Sequence, residues 1–304
     1  MDVLELKNIS KRFGDRRVLC SLSLTVPEHT VFGLIGRNGA GKTTTMKIVL
    51  GFLRADEGEA RVCGERVRYG GARTNRNIGY LPDVPEFYGY MRPSEYLAFC
   101  GRVAGMPSAR IRERSAELLA MVGLGGEKGR IRGFSRGMKQ RLGIAQALLG
   151  NPRLLVCDEP TSALDPVGRK EILDLLSAAG EKTSILFSTH ILSDVERVCS
   201  RVAILDSGKI ALQGPLEEIR GRFRENAVSV RAADRGGREL AGVCGELPFV
   251  SSAEAVGDTV TLKVGNAERD GPKLLALLAE KRIPVLKYEV LEPTLEDVFL
   301  EAIE

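Results

Sequence analysis

Apolar and polar residues follow two kinds of pattern in the longer, N-terminal part of the chain. Alternation of apolar and polar residues over 3–6 and 22–26 predicts half-buried antiparallel strands. Short apolar runs at 31–35 and 154–157 predict buried strands, the second of them buried on both faces, and a further strand is predicted at 184–188. Helical patterns separate these runs. This succession of buried strands and helices predicts an α/β fold with helices on both faces of a parallel sheet.

A helical period replaces the strand pattern between residues 93 and 122. Ile111, Leu118 and Val122 recur on one face of this stretch, while charged residues cover the other face. Because strands are predicted on both sides of it, the stretch predicts a helical insert over about residues 86–150.

The pattern changes again near residue 215. Strands are predicted at 228–230, 249–253, 260–264 and 284–290, and a helix at 274–278, while the segment after the first of these strands is ambiguous. This order is compatible with a small ferredoxin-like α/β domain. We therefore predict two domains, 1–214 and 215–304.

Composition narrows the possible partners. The chain has 304 residues and a net charge of +4, which favours anionic partners such as nucleotides but is too mild for a nucleic-acid binder. Six scattered cysteines fit a reducing compartment, and two histidines exclude a histidine-rich metal site. Because no apolar run approaches about 20 residues, a membrane role is expected to come through a partner.

A phosphate-binding loop is predicted between the strand at 31–35 and a helix predicted over residues 45–50. The segment has the pattern G-x-x-x-x-G-K-T, in which glycines let the backbone approach a phosphate. The lysine is expected to reach the β- and γ-phosphates, and the first threonine to bind Mg²⁺. The alternative is a plain glycine-rich turn, but a motif of eight fixed positions between a strand and a helix disfavours that interpretation. The predicted phosphate-binding residues are Gly36, Asn38, Gly39, Ala40, Gly41, Lys42, Thr43 and Thr44.

Two adjacent acids follow the buried strand at 154–157, at the end where ligands bind in open α/β sheets. Asp158 is suited to hold Mg²⁺ through its water shell, together with Thr43. Glu159 is suited to orient or deprotonate an attacking water. Near the N-terminus, Phe13 has two open interpretations: it packs in the core, or it stacks on an adenine ring.

The order of these motifs resembles the ATP-binding cassette (ABC) ATPases. The resemblance rests on the phosphate loop and on the segments 80–83, 134–141, 154–165 and 188–190, and it covers residues 3–214. It implies a P-loop NTPase with a RecA-like parallel sheet, an antiparallel β subdomain and a helical insert. The C-terminal domain and the sequence Tyr-Leu-Pro-Asp at 80–83 look more narrowly like ATPase subunits of type-2 drug and antibiotic exporters, whose permease is a separate polypeptide.

The resemblance also implies roles for single residues. His190 would contact the γ-phosphate or the attacking water. Ser135 and Gly137, at a helix N-terminus in the signature segment (residues 134–141), would form a second anion site. In the family, two subunits hold ATP between the phosphate loop of one and the signature of the other, so this chain is expected to form a homodimer. Asp165 would then cross the interface, or it would cap the helix that starts at Pro166.

Four positions depart from the family pattern. Asp83 replaces a glutamine; it can bind Mg²⁺ through water, but it cannot donate a hydrogen bond as an amide does. Arg136 and Met138 replace glycine and glutamine in the signature segment, and Arg136 adds positive charge that can strengthen phosphate contact. Phe13 replaces a tyrosine and keeps the aromatic ring.

The expected function is that of an ATP-binding and ATP-hydrolysing subunit of an exporter, on the cytoplasmic face of the membrane. ATP and Mg²⁺ are the expected cofactors, two permease subunits are the expected partners, and nucleic acid is not. The loop after Asp83 contains an apolar and aromatic cluster that either grips a short permease helix or folds into the core. Its members are Val84, Phe87, Tyr88 and Tyr90. The alternatives are an ABC ATPase that acts on ribosomes or nucleic acid, an ATPase of an ion or lipid exporter, an importer subunit and a regulatory module without turnover. The transported substrate would bind the permease and is not encoded in this chain.

Overall fold

The computed structural model describes residues 2–222, 226–233, 236–291 and 294–302. They divide into two compact units, a larger one that contains Met1–Glu217 and a smaller one, Glu218–Leu300. The sequence pattern placed this division after residue 214.

An antiparallel sheet of four strands forms one layer of the larger unit, with the order β2-β1-β4-β5. The predicted alternation buries Leu4, Leu6 and Leu24, but the first two strands are much longer than the alternating segments. They form a hairpin that turns at Gly14, whose φ is +56°. The strands are β1 Asp2–Phe13, β2 Arg16–Pro27, β4 Glu57–Val62 and β5 Glu65–Arg66.

A second sheet of six strands carries the buried apolar runs. Its order is β10-β9-β3-β8-β7-β6, and every neighbouring pair is parallel apart from β10 and β9. The predicted RecA-like parallel sheet with an antiparallel subdomain is thus confirmed. The strands are β3 Val31–Ile35, β6 Ile78–Leu81, β7 Leu154–Asp158, β8 Ser184–Thr189, β9 Arg201–Asp206 and β10 Lys209–Pro215.

The helical insert lies between β6 and β7. The stretch predicted as helical at 93–122 is two helices, because Gly105, with φ +71°, and Pro107 interrupt it. No helix within the described ranges has both the length and the apolar character needed to cross a membrane. The helices of this part of the chain are α1 Lys42–Val49, α2 Pro93–Val103, α3 Ser108–Met121, α4 Arg136–Leu148, α5 Pro166–Gly180, α6 Leu192–Val198 and α7 Leu216–Arg222.

The smaller unit has the element order β-α-β-β-α-β, which is the ferredoxin-like pattern. Its sheet has the order β12-β13-β11-β14, with all neighbouring strands antiparallel. The ambiguous segment is the helix α8, which buries Leu240 and Cys244 against this sheet. The elements are β11 Ala227–Ala232, α8 Gly237–Gly245, β12 Val250–Val256, β13 Thr259–Val264, α9 Ala267–Glu280, β14 Val285–Leu291 and α10 Leu295–Ala302.

Candidate active site

The loop between β3 and α1 has a backbone that only glycine adopts easily. Gly39 has φ +84° and Gly41 has φ +117°. A Cβ on Gly36 would lie 2.5 Å from the carbonyl oxygen of Leu205, and one on Gly41 would lie 2.6 Å from Cδ2 of Leu19. The chain therefore surrounds this loop closely. The helix that follows begins at Lys42, so its free amides and positive dipole end face the loop.

Lys42 links the phosphate loop to the acidic residue after β7. Its side chain is buried, with 6% exposed, and Nζ donates a hydrogen bond to the carbonyl oxygen of Gly36 at 2.7 Å. The same Nζ lies 3.2 Å from Oε1 of Glu159. Oε1 of Glu159 is buried and accepts no well-aligned hydrogen bond in the described structure, so this ion pair is its main electrostatic support.

The two adjacent acids are held by Ser188, at the end of the next strand. The register of the parallel strands β7 and β8 puts Asp158 opposite Ser188. Ser188 Oγ donates to Oδ1 of Asp158 at 2.6 Å, and the amide of Glu159 donates to the carbonyl oxygen of Ser188 at 3.0 Å. Sequence reasoning gave Ser188 no role, although its place at the end of a buried strand was a usable signal.

His190 contacts the second oxygen of Glu159. Its Nδ1 lies 2.8 Å from Oε2. Because an ionised carboxylate only accepts hydrogen bonds, Nδ1 carries the proton that it donates. This hydrogen bond makes His190 a group that orients Glu159. The predicted contact with a γ-phosphate stays a prediction.

A cavity of about 510 Å³ brings most of the predicted site residues together. Phe13 is 49% exposed at this cavity and is not part of the core; Nζ of Lys11 lies 5.5 Å from the centre of its ring. Arg16 and Val18, just after the β1–β2 turn, were not predicted as site residues. The lining residues are Phe13, Arg16, Val18, Asn38, Gly39, Gly41, Lys42, Thr43, Thr44, Asp83, Asp158 and Glu159. Gly36 and Ala40 shape the loop from behind this surface.

The oxygen groups in this cavity suit Mg²⁺. Thr43 offers a hydroxyl, and Asp158 offers a buried carboxylate that Ser188 orients. The carboxylate of Asp83 lines the same cavity. Hydroxyl, carboxylate and water oxygens are the ligands that Mg²⁺ prefers, so these groups fit the predicted cation.

Two weakly acidic side chains near Asp158, those of Tyr80 and Cys157, remain uncharged at neutral pH. Burial, and to a smaller extent the charge of Asp158, raises the pKa of Tyr80 to about 12. Burial also raises the pKa of the Cys157 thiol. Negative charge around this cavity therefore comes from the carboxylates of Asp83, Asp158 and Glu159.

The signature segment lies at the N-terminus of α4, and none of its residues lines this cavity. Ser135 caps the helix, since its Oγ accepts a hydrogen bond from the amide of Met138 at 3.2 Å. A Cβ on Gly137 would meet nothing within 4 Å, so the surface there is open. Asp165 caps α5 through the amide of Gly168, at 3.3 Å. The capping interpretation of Asp165 thus matches the structure, and its role at an interface stays a prediction.

Asp83 follows β6 and is tied to α4 at two points. Its Oδ1 lies 3.4 Å from Nη2 of Arg136, and its carbonyl oxygen accepts a hydrogen bond from Nε2 of Gln140 at 2.6 Å. Two departures from the family pattern, Asp83 and Arg136, therefore contact each other.

Comparison with known proteins agrees with this geometry. Residues 19–162 match the family model described as ABC transporter, and residues 214–303 match the model described as ATP-binding protein DrrA1-3-like, C-terminal domain. The uncharacterized ABC transporter ATP-binding protein YxlF of Bacillus subtilis is 36% identical over 99% of both chains. The bacitracin transport ATP-binding protein BcrA of Bacillus licheniformis is 34% identical over 99% of this chain and 97% of its own. A solved structure of an ATP binding subunit of an ABC transporter is 33% identical, with a TM-score of 0.66 over 73% of this chain and 93% of its own.

Proposed function

Because the chain belongs to the ABC transporter ATP-binding proteins, we propose that this ATPase powers a separate membrane permease that exports a drug, an antibiotic peptide or a similar substrate. The single observation that carries the proposal is the cavity in which Lys42, Asp158 and Glu159 meet, in a chain whose C-terminal part matches the DrrA-like domain. The name of the relative BcrA, which refers to bacitracin transport, supports the substrate class.

In the proposed mechanism, the loop amides and Lys42 bind the β- and γ-phosphates of ATP. Thr43 and Asp158 would hold Mg²⁺, and the cation would supply positive charge to neutralise the charge that develops on the phosphates. Glu159 orients the attacking water and accepts its proton. The hydrogen bond from His190 to Oε2 fixes the direction of this carboxylate, and Lys42 supports its other oxygen.

The dimer explains why one chain carries two anion-binding surfaces. We propose that two copies bind ATP between the phosphate loop of one and Ser135 and Gly137 of the other. The open surface beside Gly137 leaves room for a phosphate from a second subunit. A two-fold symmetric contact of this kind uses the same surfaces on both copies, so it closes as a dimer. Asp165 would lie near the same interface.

A groove next to Asp83 is the proposed contact with the permease. It encloses about 470 Å³ between the loop after β6 and the start of α4. Val84 lines the groove and is exposed, and Tyr88 and Tyr90 are exposed in the same loop. Phe87 packs edge-on against Tyr96, with ring centres 5.0 Å apart. Exposed apolar and aromatic side chains beside a groove suit a short amphipathic helix. We propose two permease subunits, one per ATPase, and a place for the dimer on the cytoplasmic face of the membrane.

The substitution Glu159→Gln tests the assignment of the base. Loss of proton acceptance is expected to lower steady-state ATP hydrolysis at least about a hundredfold, while ATP binding remains. With Mg·ATP, the variant is expected to form a dimer that light scattering after gel filtration can detect. Glu181→Gln, at the exposed end of α5, is the matched control and should hydrolyse ATP normally. Unchanged turnover in Glu159→Gln would contradict the proposal, and so would a variant that stays monomeric.

Co-purification tests the partner. The protein expressed in its own cells with an affinity tag is expected to bring down a hydrophobic membrane protein and no nucleic acid. Recovery of ribosomes or of DNA in place of a membrane protein would contradict the export proposal and would leave the ATPase assignment intact.

A further inference from the structure

The contact between Asp83 and Arg136 joins two functional surfaces. Asp83 lines the nucleotide cavity of its own chain. Arg136 is the first residue of α4, between Ser135 and Gly137, on the surface that the proposed dimer turns toward the partner's nucleotide. The ion pair therefore connects the nucleotide cavity of a chain to the N-terminus of α4. In the proposed dimer, this is the surface that would contact the nucleotide bound by the partner subunit.

The geometry allows this ion pair to open. Its two side chains are 43% and 46% exposed, and the closest oxygen and nitrogen are 3.4 Å apart. Half-exposed pairs of this kind contribute little to stability, since water competes for both charges. The backbone of Asp83 is held separately, by the 2.6 Å hydrogen bond from Gln140, so the carboxylate can change partner while its main chain stays fixed to α4.

We propose that the carboxylate of Asp83 exchanges Arg136 for the hydrated cation of the nucleotide in its own cavity, and that Arg136, once released, binds a phosphate of the nucleotide presented by the partner subunit. Arg136 is then an additional phosphate ligand in the signature segment. A guanidinium suits this role because its planar fork donates two hydrogen bonds to phosphate oxygens. This inference rests on the proposed dimer, and it adds a coupling between the two nucleotide sites.

The exchange predicts that the effects of the two residues depend on each other. In an Asp83→Asn chain, Arg136 is released permanently and is available to the second nucleotide. In an Arg136→Ala chain, no guanidinium remains to be released. Direct repulsion between Asp83 and the phosphates is the competing explanation; it acts within one cavity and is the same whether or not Arg136 is present.

A double-mutant cycle in the Glu159→Gln background measures this dependence. The readout is the concentration of Mg·ATP that converts half of the protein to dimer, followed by light scattering. Arg136→Ala is expected to raise that concentration about tenfold, and Asp83→Asn to lower it about threefold. In the Arg136→Ala background, Asp83→Asn is expected to give no such lowering, because no guanidinium remains to be released; a change that remains comes from the lost contact with the cation and raises the concentration.

Arg132→Ala is the matched control, because it removes an equal charge from the same groove. In the Arg132→Ala background, Asp83→Asn should still lower the concentration threefold. Since Asp83, Arg132 and Arg136 have partly exposed side chains, all variants are expected to fold, and their Tm values check this. Additive effects of Asp83→Asn and Arg136→Ala would overturn the exchange. A Glu159→Gln protein that never dimerises would overturn both the exchange and the proposed function.

Discussion

The helices α1 and α4 belong to the same unit and each has free backbone amides at its N-terminus, but the surroundings of the two ends differ. The loop before α1 is enclosed by its own chain, since a Cβ on Gly36 or Gly41 would collide with Leu205 or Leu19. At the N-terminus of α4, a Cβ on Gly137 would meet nothing within 4 Å. The site at α1 is therefore nearly complete within one chain. The site at α4 is open on one side, which a second subunit could cover.

The cations at the two helix ends differ in the same way. Lys42 is buried and held by the carbonyl oxygen of Gly36 and the carboxylate of Glu159. Arg136 is half exposed, and its guanidinium contacts one carboxylate oxygen, Oδ1 of Asp83. Removing a buried, doubly held cation is costly, whereas an exposed cation can change its partner. The comparison therefore separates a site that one chain forms by itself from a surface that, in the proposed dimer, would complete the nucleotide site of the second subunit.

The largest effect on stability and on ATP binding is expected at Gly41, where the surrounding chain is closest. Gly41→Ala forces an alanine to φ +117° and puts its Cβ 2.6 Å from Leu19, so we expect a loss of about 1–3 kcal/mol in the free energy of unfolding and loss of ATP binding. Gly137→Ala meets open space and should change the free energy of unfolding by less than about 0.5 kcal/mol. Chemical denaturation and binding of a fluorescent ATP analogue measure the two quantities. Equal destabilisation by both variants would end the distinction between the two helix ends.

The phosphate loop could be predicted from the sequence because its function depends on residues that are neighbours along the chain. The phosphate loop holds glycines, a lysine and a threonine at fixed spacing, so its chemistry is local. The predicted helix after it began at residue 45, yet α1 begins at Lys42. Glycine and threonine have low helix propensity, and the packing of the loop outweighs that propensity.

The contacts between distant segments could not be predicted in the same way. The hydrogen bond from Ser188 to Asp158, the ion pair of Asp83 with Arg136 and the contact of His190 with Glu159 each join separate loops or strands. Their geometry depends on the register of β7 and β8 and on the position of α4. In the smaller unit, α8 was ambiguous because glycines, valine and cysteine weaken its helical pattern; its packing against the sheet decides its conformation.

A smaller effect, on kcat, is expected at Ser188, which holds Asp158 in the enclosed site. Ser188→Ala removes the donor to Asp158 and leaves that buried oxygen without its hydrogen bond. We expect kcat to fall about tenfold, corresponding to about 1.4 kcal/mol, because the carboxylate loses its fixed orientation. Ser184→Ala is the matched control: it removes the acceptor of the His29 amide at the other end of β8, 2.9 Å away. Steady-state ATPase assays should show the loss only in Ser188→Ala; the same loss in both variants would point to a general weakening of β8.

The smallest effect concerns a third helix end, which carries its own anion. At the N-terminus of α9, the buried Asp270 accepts hydrogen bonds from the amide of Asn266 and from Arg269 and Lys273. The hydrogen bonds from Arg269, then those from Lys273, hold the pKa of Asp270 well below its usual range. Because its own carboxylate occupies this helix end, we expect no external phosphate to bind there.

The depressed pKa gives this helix end a pH signature. A carboxyl group whose pKa is lower in the folded state stabilises the protein above its unfolded pKa of about 3.9, and the stabilisation is lost as the pH falls toward the folded value. Asp270→Asn should therefore lower the Tm of the smaller unit at pH 7 and lower it progressively less below pH 4. Calorimetry from pH 3 to 7 measures the difference, with Asp258→Asn, on the exposed β12–β13 turn, as the control. If the effect of Asp270→Asn did not depend on pH, a cap that acts through its shape alone would explain α9, and a helix end could be closed to anions without a charge of its own.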